Sequence, residues 1–112
     1  MKILIIGAGA VGFSIAKQLS AEGHDISVVD VNPKLIRKIA EKLDVSVITG
    51  NATSPCVLES AGVQETDMVL AVTTSDEVNI VTCIIASKYG DGEKIKIARI
   101  RNGEFTGNKS IF

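Results

Sequence analysis

Apolar and polar positions change period repeatedly along this chain. Ile3 to Ile6 is an unbroken apolar run, the pattern of a strand buried on both faces. Val11, Ile15 and Leu19 then lie four apart, which predicts a helix with that stripe inward and Gly23 as its stop. "DISVVD" reads as a second strand ending at Asp30. Asn32-Pro33 opens a second helix, with Asn as N-cap and Pro at the first helical position. Leu35, Ile36, Ile39, Ala40 and Leu43 form its expected buried stripe.

The alternation continues. "VSVIT" predicts a third strand, and Ser54-Pro55 opens a third helix that packs through Val57, Leu58 and Ala61 and stops at Gly62. "MVLAV" is a fourth strand. Thr74 and Glu77 have capping-box spacing and open a fourth helix running to about Tyr89, with Gly90 as its stop. "KIKIARI" is a fifth strand, and the tail "RNGEFTGNKSIF" has no clear period. Strands alternating with helices imply right-handed crossovers and a doubly wound parallel sheet, Rossmann-like, with helices on both faces. The expected strand order is 3-2-1-4-5, with ligands outside the carboxyl ends at the switch between strands one and four.

Composition narrows the picture. With 112 residues the chain is expected to be one domain over 1–112. It is 46% hydrophobic but only 4% aromatic, so the core must be aliphatic. Net charge is −1, without the basic excess a nucleic-acid partner requires. Cys56 and Cys83 fall in different helices, and a single His completes no metal set with them. Both read as small apolar fillers in a reducing compartment. No apolar run approaches the roughly 20 residues needed to cross a bilayer. The Lys2-plus-apolar start resembles a signal peptide, but its glycine spacing reads better as a strand and turn. The expected location is cytoplasmic, without direct membrane insertion.

Gly7, Gly9 and Gly12 stand in G-x-G-x-x-G order between the first strand and the first helix. Gly7 permits a tight turn, Gly9 lets backbone approach a pyrophosphate, and Gly12 lets the helix lie close on the sheet. The phosphate is then expected to meet N–H groups near Ala10 and Val11 at the positive end of the helix, with Ala8 in the same turn a further cofactor contact. Asp30 ends strand two 18 residues after Gly12. Its carboxylate can accept from both hydroxyls of an adenosine ribose, with Val31 beside it, and would repel a 2′-phosphate.

The other strand ends offer less specific signals. Thr73 and Thr74 place hydroxyls and N–H groups beside the glycine turn, where ligand contact and helix capping can coexist. Asn51 and Ala52 are expected on the adenine side of the crevice. Arg99 and Arg101 share one face of strand five, so Arg99 can meet a phosphate, a partner's carboxylate or a surface acid. Lys34, Arg37, Lys38 and Lys42 read as a solvated helix face. The fourth helix is apolar nearly all round, which calls for burial on more than one side, one against the sheet and the other against a second subunit or a further part of the full protein. No nucleophile–base pair, carboxylate dyad or metal set is visible, which favours sensing over catalysis.

"VITGNATSPCVLESAGV", "DMVLAVTTSDEVNI" and "IARIRN", with the glycine block and "DISVVDVNPKLIRKI" before them, resemble the N-terminal nucleotide-binding domain of the Trk-type potassium-uptake regulators, also called the KTN or RCK domain. The resemblance covers nearly the whole chain. It implies a cytoplasmic regulatory subunit, not an enzyme, that binds NAD, NADH, ATP or ADP. It also implies a homodimer or homotetramer that gates a membrane potassium transporter or channel. The family's ligand contacts fall on the Gly7–Gly12 turn, Asp30, Asn51, Ala52 and Thr73.

Two positions depart from the family. Ala10 stands where many relatives carry an arginine that can reach the phosphates, which points to a dinucleotide or a diphosphate. Asn51 stands where many carry aspartate. Relatives also continue with a further strand and a C-terminal domain, and "TGNKSIF" resembles the start of that continuation. The alternative is the N-terminal cofactor-binding part of an NAD-dependent dehydrogenase. A redox-sensing module acting on transcription is weaker, because no basic DNA-binding element is present.

Overall fold

A computed structural model of the chain describes residues 1–90 and 94–103. Its elements run β1 (Lys2–Ile6), α1 (Ala10–Ala21), β2 (Asp25–Asp30), α2 (Pro33–Lys42), β3 (Ser46–Thr49), α3 (Pro55–Ser60), a 3₁₀ turn at Val63–Glu65, β4 (Met68–Ala71), α4 (Asp76–Ala86) and β5 (Ile95–Ala98). The strands form one parallel sheet in the order β3-β2-β1-β4-β5, as the alternation predicts. The tail beyond Gly103, including "TGNKSIF", lies outside the described residues.

The central place of β1 follows from its composition. Leu4 and Ile5 point to opposite faces and neither is exposed. Ile3 and Ile5 pack with Ala16 of α1 and Ile36 and Ile39 of α2. Leu4 and Ile6 pack with Leu58 of α3 and Cys83 and Ala86 of α4. Two aliphatic cores therefore sandwich the sheet. Because α1 enters directly from the end of β1, its N-terminus is held at the carboxyl edge of the sheet.

Several expectations shift in detail. Gly12 and Ala16 are the buried positions of α1, and Ile15 and Leu19 of the expected stripe pack, partly buried, against the same core. Val11 instead faces the carboxyl edge and is 36% exposed. Ala40 of α2 is exposed, while Ile36 and Ile39 carry the contact. Cys56 is exposed and Cys83 buried, both as free thiols, so only Cys83 acts as a filler.

The cap of α4 is Ser75, whose side chain accepts from the Val78 N–H at 3.2 Å. The expected Thr74 cap is displaced by one residue, because two adjacent hydroxyls offer equivalent caps to a spacing argument. The helix is also shorter than expected. It ends at Ala86, and Lys88 and Tyr89 donate back three residues in tighter turns before Gly90 at φ +85°. Its inward positions include Asp76, Asn79 and Thr82, whereas Val81 and Ile84 are 40% and 53% exposed.

Among the described residues, no helix is long and apolar enough to cross a membrane.

Candidate functional site

The carboxyl ends of β1, β2, β3, β4 and β5 surround a crevice of about 600 Å³, a size ordinary for a small-molecule site. At its floor the chain turns from β1 into α1. Gly7 adopts φ +117° and donates its N–H to the Val29 carbonyl at 2.8 Å. A Cβ there would also press on the backbone of Val72 and Thr73 at 3.1 Å. At Gly12, a Cβ would overlap the carbonyl oxygen of Gly7. These two glycines are required by the fold itself.

Gly9 differs. Its φ is −73°, open to any residue, and a Cβ there would meet no atom of the described residues within 4 Å. It lines the crevice with Ala10 and Val11. Among the described residues no side chain caps α1, and its first turn carries no acidic residue. The first N–H groups of a helix have no partner within it, so Ala10 and Val11 offer amide hydrogens and the positive helix end to the crevice. By contrast, α2 and α4 are capped by Asn32 and Ser75.

Asp30 stands opposite this turn. Its Oδ2 accepts from the Ala8 N–H and its Oδ1 from the Asn32 N–H, each at 2.8 Å. A carboxylate oxygen can accept more than one hydrogen bond, so both oxygens retain capacity while the group is held in one orientation. A vicinal diol is the natural complement of such a carboxylate.

Asn51 and Ala52 form the wall beyond β3. Asn51 Oδ1 accepts from Thr53 N–H at 2.9 Å and from its hydroxyl at 2.7 Å, shaping its own loop. The Ala52 carbonyl accepts from Thr82 Oγ1 at 3.3 Å. Thr73, Thr74 and Ser75 supply the wall beyond β4, and Arg99 that beyond β5. Among the described residues, Asp30 and Arg99 are the only charged ones lining the crevice, and no acid pairs with Arg99.

Of the predicted site residues, Gly7, Gly9, Ala10, Val11, Asp30, Val31, Asn51, Ala52, Thr73, Thr74 and Arg99 line the crevice. Ala8 and Gly12 do not. The Ala8 N–H is already taken by Asp30, and Gly12 is buried against Gly7. Sequence reasoning missed Leu35, Val72 and Val78 as lining residues. Two of these are simple apolar helix positions, and their only signal was closeness to a strand end. It also missed Asn79, which lies just behind the wall.

Elsewhere, Lys38 lies over the Phe13 ring with its ammonium 5.6 Å from the centroid. Burial pushes the Cys83 thiol above its ordinary pKa, against a smaller lowering by Lys96. Desolvation lowers the pKa of Lys94, whose ammonium donates to the Val63 and Thr66 carbonyls at 2.9 and 2.6 Å. Neither group faces the crevice. No group of three or more His, Cys, Asp or Glu could hold a metal among the described residues.

A doubly wound sheet with a glycine turn and a carboxylate at the end of its second strand defines the class of Rossmann-like α/β domains. Within that class the chain belongs to the TrkA-N domain family, whose model matches residues 3–109. The chain is 41% identical over 109 residues to the Trk system potassium uptake protein TrkA of Vibrio alginolyticus, covering 97% of this chain and 24% of that protein. It is 38% identical over 112 residues to the Trk system potassium uptake protein TrkA homolog of Pyrococcus abyssi, covering all of this chain and 48% of that protein. The chain thus spans a quarter to a half of the length of these relatives. Among solved structures, the GsuK channel bound to NAD shares the fold, with a TM-score of 0.67 and 23% identity over 78% of this chain and 16% of that one.

Proposed function

We propose that this chain is a nucleotide-sensing regulatory domain of a potassium transport system. It takes NAD or NADH in the crevice, with ADP or ATP as competing adenylates. The pyrophosphate rests on the amides of Ala10 and Val11, and Asp30 accepts the hydroxyls of the adenosine ribose. Asn51, Ala52 and Val31 flank the adenosine, and Thr73, Thr74 and Arg99 face the far side of the pyrophosphate. A single positive side chain among the described lining residues, with alanine at position 10, suits two phosphates better than three.

The observation that carries this reading is Gly9. The described residues place nothing within 4 Å of its missing Cβ, yet the position opens onto a helix end that none of their side chains caps. A ligand's phosphate is the group that needs that space. The names of the potassium-uptake relatives and the NAD in the GsuK channel support the same choice of ligand and process.

Regulation follows by linkage. A nucleotide that binds two arrangements of paired domains with different affinity shifts their populations, and so biases a membrane transporter or channel on which the domains dock. The exposed Val81 and Ile84 of α4 supply an apolar surface for a homodimer or homotetramer. The working location is the cytoplasm, at the inner face of the membrane through that partner.

The second reading is the cofactor-binding part of an NAD-dependent dehydrogenase, favoured only by the glycine block that such enzymes share. Adding NADH to the purified chain with a panel of keto acids separates the two. Saturable binding without oxidation is expected, and turnover would overturn the sensing role.

A further inference from the structure

Asn79 is fully buried and spends its whole carboxamide on two walls of the crevice. Its Oδ1 accepts from the Thr73 N–H at 2.9 Å and from the Thr73 hydroxyl at 2.7 Å. Its Nδ2 donates to the Thr73 carbonyl at 3.1 Å and to the Arg99 carbonyl at 2.9 Å. Thr73 follows β4 and Arg99 follows β5, and both line the crevice. A buried, fully satisfied amide of this kind fixes the relative position of the groups it joins.

One turn earlier on the same helix, Asp76 is 7% exposed. Its two oxygens accept from the Arg101 N–H at 2.8 Å and the Asn102 N–H at 2.7 Å. The first turn of α4 therefore grips the loop after β4, the end of β5 and the chain leaving β5. The Thr73 hydroxyl is the adjustable member. It has one proton and two acceptors in reach, Asn79 Oδ1 and the Ser75 carbonyl at 3.1 Å. A ligand oxygen that claims this hydroxyl changes what Asn79 accepts.

We infer that Asn79 is the positioning residue through which occupancy of the crevice reaches the chain after β5, with Asp76 as the next link. The inference rests on the nucleotide reading above. Contact of the ligand with Thr73 resets the hydrogen bonds of Asn79, which shares its amide group with Arg99. The α4 turn carries the change to Asp76 and so to Arg101 and Asn102. The warrant is two sets of hydrogen bonds, Thr73–Asn79–Arg99 and Asp76–Arg101–Asn102, joined by the first turn of α4, with an alternative arrangement at Thr73.

Nuclear magnetic resonance of the labelled chain titrated with NADH tests this. The Ala10 and Val11 amides report binding, the Asn79 side-chain NH₂ reports the relay, and the Arg101 and Asn102 amides report the outlet. All three sets are expected to move on one saturation curve, with exchange at Arg101 and Asn102 slowed by roughly fivefold or more, the lower end of ordinary allosteric coupling. In Asp76→Asn the Asn79 signals should still respond while the response at Arg101 and Asn102 is lost. Movement of Ala10 and Val11 with Asn79, Arg101 and Asn102 unchanged in the unaltered chain overturns the relay and leaves nucleotide binding intact. No movement anywhere removes the binding itself, and the relay with it.

Discussion

The Ala8 amide donates to Oδ2 of Asp30 at 2.8 Å, tying the glycine turn after β1 to the end of β2. The same carboxylate accepts from the Asn32 amide at the start of α2. The acid expected to grip a ribose is thus first a brace for the loop expected to hold the pyrophosphate. Two parts of one site are set by a single group, and a substitution at either end is felt at the other.

Replacing Asp30 with Asn keeps the shape but removes the charge and one of the two acceptors. A hydrogen bond to a charged group contributes about 1.5–3 kcal/mol, so calorimetry with NADH should show affinity reduced about tenfold or more. The unaltered chain should discriminate strongly against NADPH, and Asp30→Asn should narrow that difference. Equal affinity for NADH in the two proteins would count against the ribose assignment.

Gly9 and Gly12 are expected to separate function from folding. In Gly9→Ala the new methyl group points into open space, and the cost to stability is limited to the cap preference, about 1 kcal/mol or less. NADH affinity should nevertheless fall at least about tenfold, equivalent to about 1.4 kcal/mol. In Gly12→Ala the methyl group overlaps the Gly7 carbonyl, and the forced backbone shift should cost about 2–4 kcal/mol, at the high end of overpacking. Thermal melts and titrations on the two variants read both effects.

Much of this was legible in the sequence, because the glycine turn and the strand order rest on backbone constraints that letters express directly. Gly7 and Gly12 are demanded by positive φ and close approach. What stayed hidden was side-chain economy. Asn79 and Thr82 carry no apolar signal, yet they face inward and donate to the carbonyls of Thr73, Arg99 and Ala52. Val11 looks like core, yet it lines the crevice at the first turn of α1, while Ile15 and Leu19 further along the helix pack inward. Ala8 sits in the glycine turn expected to contact the cofactor, yet its amide is claimed by an acid 22 positions away.

The two thiols should differ sharply in reactivity. Cys56 is exposed and Cys83 buried. Mass spectrometry after brief iodoacetamide treatment at neutral pH is expected to find the label on Cys56, and on Cys83 only after denaturation. Burial raises the Cys83 pKa from its ordinary 9.0, so the folded chain favours the thiol. That contribution to stability is present below pH 9 and is lost as pH rises through the higher folded value. Equal labelling of both thiols in the folded chain would contradict the packing described for α4.

Val81 and Ile84 lie three apart on the outer side of α4, neighbours on one helix face. If this face joins two copies, sedimentation should show a dimer or tetramer that Ile84→Glu converts to monomer with the fold retained. A monomer at all concentrations in the unaltered chain would remove α4 as the subunit contact.

The most direct measurement is a crystal of this chain grown with NADH. Density is expected with the pyrophosphate against the amides of Ala10 and Val11 and both hydroxyls of the adenosine ribose within hydrogen-bond reach of Asp30. An empty crevice at saturating NADH, or a nucleotide bound elsewhere on the molecule, would contradict the account.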